Sequence, residues 1–486
     1  MKLPPFRNGL IYYPYGNQKS SAVVFNNDLV LTTGLTLLQV PNNQADLGSL
    51  PQNQLICVGN RPEFKKPTFK LILEKGKDKL TEQEVQIAFV LKSSNVESFV
   101  KQNFSGLKFL VDGEYRLISE YSQHFSSFLI LKPTDRKLQL QDIKESFQSI
   151  VNTTINQITT LDEIVCVSAP FGSENFINSV SYGHVANTFG TDNCLMLLNL
   201  VSTFGCDGAG VYDQRLNLRG LLLGSTFAHQ NDNVSFSLAI NVNEILKVLF
   251  KDHYLKGSPE SIQTDVTKSV CMIDSMGCWG TGCLLKMHDR QFVLTCSHVL
   301  SSNNIVCHVK DEELELKLLY KNPIYDSAYD LALLEVSSKS NPNKTNFCQL
   351  ANYQPKIGQP VYSVGFPLFK SFGWSDNFKP TIYRGQVTKH SEGILFTDCP
   401  VQAGQSGGPL FDERGDLVAV MVSNFKSALD DRIYPWHNMC VPVWDLYRVL
   451  EEYCDTNDLK RLTKLQASSE IVNKWKLRRP KITSRL

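Results

Sequence analysis

Residues 404–412 read GQSGGPLFD, and residues 205–213 read GCDGAGVYD at a constant offset of 199 residues. Earlier segments repeat as well, since VLTTGL at 30–35 stands opposite VLTCSH at 293–298. A period of about 200 residues is far longer than the repeat of a solenoid. The sequence therefore indicates a duplicated domain.

Most of the chain consists of short apolar or alternating runs bounded by Gly, Asn, Asp or Ser, such as residues 293–295, 331–336 and 417–422. Such runs predict β-strands, and many short strands at this spacing favour sandwiches or barrels. Helical spacing of apolar residues appears at 443–453 and again at 459–477. The prediction is an all-β fold with a short helical tail at the C-terminus.

The polar stretch 256–268 lies between the two copies and is typical of a linker. It divides the chain into a first domain at 1–255 and a second at 269–455. A basic tail follows at 456–486.

Composition excludes several classes of partner. The chain has 486 residues, 49 basic and 48 acidic, for a formal net charge of +1. No strong field is available to attract nucleic acid or anionic lipid, so we expect neither partner. The first residues lack the apolar core of a secretory signal, and no run approaches the roughly 18 apolar residues of a membrane span. We therefore expect synthesis in the cytosol without export.

The thirteen cysteines are scattered and odd in number. In a chain without an export signal they predict reduced thiols. The closest cluster is Cys271, Cys278 and Cys283, whose spacing is poor for zinc ligands. We expect no metal site and no cofactor.

The segment at 404–409 has the residues that serine-based peptide hydrolysis requires. Ser406 supplies a hydroxyl, and the glycines around it allow a tight turn on which amide groups converge. The amides of Gly404 and Ser406 are the predicted oxyanion donors. A glycine-rich turn between two strands is the alternative for this segment taken alone.

His298 and Asp330 complete the predicted triad. His298 follows the apolar run at 293–295, and Asp330 opens the apolar run at 331–336. A lone histidine is usually structural and a lone aspartate usually belongs to a turn. An acid close to the core is nevertheless costly to desolvate without a partner, and orienting an imidazole provides one. The order His298, Asp330, Ser406 favours a catalytic set.

Residues of roughly 270–452 resemble the trypsin-like serine proteases, in particular the HtrA/Deg branch. The resemblance lies in TCSHV at 295–299, DLALL at 330–334 and the TD…GQSGGP pattern at 397–409. It implies a chymotrypsin-like double β-barrel in each copy. Two departures are Gln405, where that branch usually has asparagine, and a C-terminus with too few residues after Glu452 for the PDZ domain of HtrA proteins.

The first copy keeps the glycine-rich motif but lacks the residues of the predicted triad. Leu35 stands at the position of His298, and Asp207 stands at the position of Ser406. Ser126 and Ser127 lie near the position of Asp330. His124 and His229 are nearby in sequence but outside the matching motifs. We expect a degenerate, inactive copy.

The chain ends in Ser484, Arg485 and Leu486, which is similar to the C-terminal SKL peroxisomal signal. A basic tail without an address is the alternative. With the dead first copy, this ending resembles the peroxisomal leader-peptide-processing proteases. That resemblance implies a peroxisomal matrix location, an import receptor that reads the C-terminus, and protein substrates whose N-terminal leaders are removed.

Two other functions stay open at this stage: an HtrA-like quality-control protease, and a non-catalytic chaperone or binding module. Pro400, six residues before the nucleophile, argues against a preference for Lys or Arg, and residues 422–424 are the predicted wall of the specificity pocket. The oligomeric state stays open, with a homo-oligomer as one alternative.

Overall fold

The computed structural model divides into two compact units, Met1–Pro259 and Glu260–Leu486. The structure describes the following residues: 6–25, 29–40, 47–61, 67–74, 79–104, 106–111, 113–153, 158–224, 227–229, 232–234, 236–250, 266–276, 278–302, 304–309, 312–324, 328–337, 346–367, 379–426 and 433–475. Most of the predicted linker, 256–265, lies outside these residues, and 266–268 belong to a 3₁₀ turn, Val266–Ser269. The domain boundaries remain a prediction.

The first unit begins with a seven-stranded sheet in the order β4-β6-β5-β1-β2-β3-β9. The extra pairing of β6 with β9 joins the two sides of the sheet into a barrel. Its strands are β1 (Arg7–Tyr12), β2 (Lys19–Val24), β3 (Val30–Thr33), β4 (Leu55–Cys57), β5 (Thr68–Glu74), β6 (Leu80–Lys92) and β9 (Ser127–Pro133).

A second, closed barrel completes this unit in the order β10-β11-β12-β17-β14-β13. Its strands are β10 (Glu163–Ser168), β11 (Ser179–Phe189), β12 (Leu195–Leu200), β13 (Gly210–Asp213), β14 (Leu218–Gly224) and β17 (Ser237–Asn241). A small separate sheet has the order β16-β15-β7-β8. It is formed by β7 (Leu107–Val111), β8 (Glu114–Leu117), β15 (Phe227–His229) and β16 (Asp232–Val234).

The second unit repeats this plan. Its first sheet has the order β22-β21-β18-β19-β20-β24-β23, and its closed barrel has the order β25-β26-β27-β30-β29-β28. The sheet contains β18 (Val270–Ser275), β19 (Cys278–Met287), β20 (Arg290–Cys296), β21 (Val306–Val309), β22 (Glu312–Leu314), β23 (Leu316–Lys321) and β24 (Leu331–Val336). The barrel contains β25 (Pro360–Gly365), β26 (Thr381–Ser391), β27 (Ile394–Thr397), β28 (Pro409–Asp412), β29 (Leu417–Lys426) and β30 (Ile433–Pro442).

The strand order of the two closed barrels is the same, so the duplication predicted from the sequence is confirmed at the level of topology. Each copy thus combines a seven-stranded sheet with a closed six-stranded barrel, as expected of a duplicated double β-barrel. Some strands are buried on both faces, as in β24, where five of six residues are buried. Such near-continuous apolar runs are typical of strands packed on both faces.

The helices differ in part from the prediction. The segment 443–453 is confirmed as a helix, α5 (Trp444–Thr456), which buries Leu446, Leu450 and Tyr453. The first unit contains α1 (Ser94–Asn103), α2 (Ser122–Phe125) and α3 (Leu140–Thr153), which were not predicted from the sequence, and also α4 (Asn243–Leu249).

The single helix predicted at 459–477 is wrong. A 3₁₀ segment, Leu459–Leu465, is followed by an extended Gln466 and then by α6 (Ser469–Trp475). The 3₁₀ segment packs beside α5 and β23, whereas the Trp475 indole donates to the carbonyl of Gly393 at 3.1 Å. The chain breaks because its two halves are buried against different surfaces.

The cysteines are free thiols, as the sequence indicates, and most of them are buried. Among the described residues, no helix combines the length and the apolar character that a bilayer crossing requires.

Candidate active site

The segment 404–408 forms a sharp turn that only glycine permits at two points. Gly404 has φ 94° and Gly407 has φ 81°, in the left-handed region that other residues rarely adopt. A Cβ on Gly407 would lie 2.3 Å from the carbonyl oxygen of Thr281 and 2.4 Å from Oγ1 of Thr295. The glycines therefore place this turn, which we call the elbow, directly against strands β19 and β20.

Thr281 on β19 fixes the elbow through three hydrogen bonds. Its Oγ1 donates to the Gly404 carbonyl at 2.8 Å and accepts from the Phe366 amide at 3.0 Å. Its own amide donates to the carbonyl of Ser406 at 2.9 Å. This threonine was not singled out from the sequence, because nothing in the sequence shows which carbonyl its hydroxyl reaches.

The elbow leaves two amide groups available. Gln405 donates its amide to Gln402 at 3.0 Å, and Gly407 donates to Met421 at 2.8 Å. The amides of Gly404 and Ser406 donate to no acceptor among the residues that the structure describes. Unpaired amides beside the serine are what an oxyanion site requires, and the assignment of these two groups as oxyanion donors stays a prediction.

His298 lies in a 3₁₀ turn, Ser297–Val299, directly after β20. Its Nδ1 is hydrogen-bonded to Oδ2 of Asp330, and its backbone amide donates to Oδ1 of the same carboxylate at 3.1 Å. The side chain of His298 is 39% exposed, whereas that of Asp330 is 9% exposed. The acid is thus buried behind the imidazole, whose other nitrogen can face solvent or substrate.

The loop before Asp330 is held by Asn322. The Asn322 side chain donates to the Tyr329 carbonyl at 2.7 Å, and the Asn322 carbonyl accepts from the Ser297 hydroxyl at 3.0 Å. Tyr329 has φ 58°, a strained conformation for a bulky residue. Asn322 therefore joins the turn that carries His298 to the turn that presents Asp330, a role that the sequence analysis missed.

The elbow and the turn of His298 meet at strand β19. A Cβ on Gly280 would lie 2.5 Å from the Val299 side chain and 3.0 Å from the Ser406 carbonyl. One on Gly407 would lie 2.7 Å from the amide of Cys296. The structure thus brings His298 and Asp330 into contact and places the backbone of Ser406 close to the turn that carries His298. The Ser406 hydroxyl makes no hydrogen bond with the described residues, and such bonds often tighten only when substrate binds.

Cys296, His298 and Asp330 place three potential ligand atoms within 4.8 Å of one another. The Cys296 thiol donates to the Met421 carbonyl at 3.3 Å. Burial, and then the charge of Asp330, raises its pKa well above the usual range. A thiol held in its protonated form is a poor metal ligand, so the group suits an imidazole oriented by a carboxylate better than it suits a metal.

The first unit contains the same elbow in atomic detail. Ser21 replaces Thr281: its Oγ donates to the Gly205 carbonyl at 2.8 Å, and its amide donates to the Asp207 carbonyl at 2.8 Å. The amide of Gly208 donates to Leu222 at 2.7 Å, as Gly407 does to Met421. The frame is conserved between the copies, and the side chains that perform chemistry are not.

Asp207 occupies the serine position of the first copy, and its carboxylate accepts from the Ser20 hydroxyl at 2.5 Å. Leu35 lies in a 3₁₀ turn, Gly34–Gln39, that corresponds to the turn of His298. Ser127 is the first residue of β9, whereas Asp330 lies directly before β24, and the Ser127 hydroxyl donates to the Gln123 carbonyl at 2.6 Å. Burial lowers the pKa of His124 to about 4. His229 lies in β15. No base and nucleophile pair is formed by these residues.

Other sequence predictions stay untested. Ser484, Arg485 and Leu486 lie outside the described residues. Val422 is buried in β29 and Asn424 donates its side-chain amide to the Val401 carbonyl at 3.0 Å, which joins β29 to the loop after Pro400. A specificity pocket at this junction remains a prediction.

Residues 280–420 match the family model described as a trypsin-like peptidase domain. The chain is 25% identical over 354 residues to the peroxisomal leader peptide-processing protease of Mus musculus, covering 65% of this chain and 60% of that protein. It is 30% identical over 132 residues to a probable periplasmic serine endoprotease DegP-like of Pseudomonas fluorescens, covering 26% of each.

Among solved structures, the serine endoprotease from Yersinia pestis aligns with a TM-score of 0.33 and 20% identity, over 41% of this chain and 69% of that one. The chain spans 60% of the length of the mouse relative. The family match encloses His298, Asp330 and Ser406. Over residues 280–420 the chain is therefore similar to the trypsin-like peptidase domain.

Proposed function

We propose that this chain is a serine endopeptidase that uses His298, Asp330 and Ser406. The observation that carries the proposal is the hydrogen bond between Nδ1 of His298 and the buried Asp330, next to an elbow whose Gly404 and Ser406 amides are free among the described residues. An imidazole held in this way has one tautomer and one orientation, as a general base needs.

The proposed mechanism assigns one task to each residue. Ser406 attacks the scissile carbonyl while Nε2 of His298 takes its proton. Asp330 keeps the other ring proton on Nδ1 and stabilises the imidazolium that forms. The amides of Gly404 and Ser406 donate to the developing oxyanion. His298 then protonates the leaving amine and later activates water to release the acyl group from Ser406.

We further propose protein substrates with N-terminal leader peptides, located in the peroxisome. Two observations support this: the similarity to a mouse protease whose name states that activity, and the SRL ending, which the import receptor would bind.

Ser406→Ala tests the activity. We expect a loss of about 10⁴-fold or more in kcat on a leader-bearing protein, because the nucleophile is removed. Ser469→Ala, at the exposed start of α6, is the matched control and should cleave like the parent. Equal cleavage by Ser406→Ala and the parent would eliminate the serine mechanism and favour a binding module.

Removal of residues 484–486 tests the location. The truncated protein should become cytosolic, whereas Arg485→Lys should remain in peroxisomes because it preserves the charge. An unchanged distribution after truncation would favour a quality-control protease outside that organelle.

A further inference from the structure

The first unit has an open cleft at the position of its lost active site. The cleft has a volume of about 350 Å³, within the size range of ligand-binding pockets. Gly205 and Asp207, from the elbow, and Leu35, from the histidine position, all line it. Loss of the catalytic side chains therefore did not close the cavity that they would have faced.

The acid at the serine position of this cleft already has hydrogen-bond partners within the chain. The Asp207 carboxylate accepts from Ser20, which in turn accepts from the Gln39 side chain at 2.7 Å. Burial raises the pKa of Asp207, against the hydrogen bonds from Ser20 and from the backbone N–H groups of Asp207 and Gly205. These two N–H groups correspond to the oxyanion donors of the second copy. In the first copy they stabilise the chain's own carboxyl group instead.

Apolar side chains form a large part of the cleft wall, beside the polar Asn17, Gln18 and Thr203. Leu35 and Leu223 are buried, and Phe109 and Phe227 face each other in the pairing of β7 with β15. Lys19, also at the cleft, is paired with Glu174 at 3.0 Å. A charged ligand side chain would have no free partner among these groups and would be costly to bury. The cleft therefore favours an uncharged apolar group.

Aromatic residues extend this apolar surface outward. Phe171 and Phe204 line the cleft and are 55% and 53% exposed, with ring centroids 5.4 Å apart. Phe176 is also exposed and lies 5.9 Å from Phe171. Phe171 has φ 62° and is held there by its amide, which donates to the Phe204 carbonyl at 2.8 Å. Strained residues and exposed apolar patches occur at binding surfaces.

We propose that this cleft is a non-catalytic binding site for an extended polypeptide segment, which places an apolar side chain between Leu35 and Phe227 and rests on Phe171 and Phe204. A polypeptide is the occupant because, resting on the proposed function, the duplication makes this cleft the counterpart of the one that binds the substrate peptide in the second copy. Leu223 and Gly224, at its wall, correspond to Val422 and Ser423 of β29. The aromatic rim also continues beyond the cavity, since Phe176 contacts Phe171 without lining the cleft.

The test uses the full-length Ser406→Ala protein, so that cleavage does not consume the probe. The probe is a fluorescein-labelled decapeptide of Ser, Gly and Thr residues with one central Phe, compared with the same peptide bearing a central Lys. We expect the Lys peptide to bind at least tenfold more weakly. A further Phe204→Ala change should weaken binding of the Phe peptide at least fivefold, and Phe204→Trp should restore it. Leu80→Ala, an exposed residue outside the cleft, should have no effect.

A second measurement locates the bound peptide. The same probe with benzoylphenylalanine at its centre should crosslink to residues 17–38, 107–111 or 203–227. Crosslinks confined to 280–424 would overturn the proposal, as would unchanged binding in Phe204→Ala. Equal competition by N-acetyl-phenylalanine amide would also overturn it, because a small apolar molecule would then be the occupant. The catalytic proposal is tested separately by cleavage in the parent protein, so either can fail alone.

Discussion

Thr281 donates its hydroxyl hydrogen bond to the Gly404 carbonyl at 2.8 Å, from the middle of β19 to the start of the elbow. Ser21 makes the same bond to Gly205 at 2.8 Å in the first copy. The bond is thus present in a copy that lacks the catalytic side chains. A hydroxyl at this point supports the turn itself, on which the position of the serine depends.

Thr281→Val should reduce activity without removing any reacting group. The valine cannot accept from the buried Phe366 amide, and the unpaired donor should cost about 1–3 kcal/mol of stability. A shifted elbow should lower kcat/KM by about 10- to 100-fold. Thr281→Ser is the matched control and should stay within a few-fold of the parent, since it keeps the hydroxyl. Steady-state kinetics on a leader-bearing substrate, with a urea unfolding curve, measure both effects. Full activity in Thr281→Val would show that the bond is dispensable.

Asp330→Asn should lower kcat by about 10³- to 10⁴-fold while leaving the fold intact. The amide cannot hold the proton of His298 on Nδ1, so the imidazole loses the tautomer that a base requires. Asp289→Asn, in the exposed hairpin between β19 and β20, should have no effect on kcat. A loss of less than tenfold in Asp330→Asn would argue against the orienting role.

Asn322→Ala should lower activity by loosening the loop that positions Asp330, because Asn322 is not itself a reacting group. The substitution removes one of the two hydrogen bonds to the carbonyl of the strained Tyr329, which then keeps only the Leu331 amide as a donor, at a cost of about 0.5–1.5 kcal/mol of stability. We expect kcat to fall at least fivefold, because the Asp330 loop is less well fixed. Asn304→Ala, on an exposed loop, is the control. If stability falls but kcat does not, Asn322 is structural only.

Asp207→Asn should stabilise the protein increasingly as the pH rises. Burial raises the pKa of this acid, so the folded state binds its proton more tightly than the unfolded state does. Asp207 therefore contributes most to the stability of the folded state at a pH below its unfolded pKa of about 3.9. This contribution is lost as the pH rises through the higher pKa that Asp207 has in the folded state. The gain in urea midpoint from Asp207→Asn should be larger at pH 7.5 than at pH 4.

Asp213→Asn in the same unit should show the opposite sign. Burial opposes ionisation of Asp213, but hydrogen bonds from Asn217 and Arg219 outweigh it and lower its pKa. The stability that this carboxylate contributes is present above the unfolded pKa and is lost as pH falls through the folded value, so Asp213→Asn should cost more at pH 7.5 than at pH 4. A pH-independent difference in both variants would contradict these assignments.

Elements set by local spacing were predictable from the sequence, whereas features set by contacts between distant segments were not. The helix at 443–453 and the strands at 293–295, 331–336 and 417–422 were predictable, because their apolar spacing is local. The break at Gln466 was not, because it results from burial of Leu465 and Trp475 against separate surfaces. The contribution of Asn322 was equally hidden, since its partners are a carbonyl and a hydroxyl that the sequence does not bring near.

By itself, the sequence determined that the fold is duplicated and that one copy has Leu35 and Asp207 in place of a catalytic histidine and serine. It also determined which residues of the other copy are candidates for catalysis. Only the tertiary structure decided that His298 contacts Asp330, that Thr281 supports the elbow, and that the first copy retains an open apolar cleft. The reason is physical. Residue types and glycine positions are local properties of the chain, whereas hydrogen bonds between strands and the volume left between side chains exist only once distant segments have packed together.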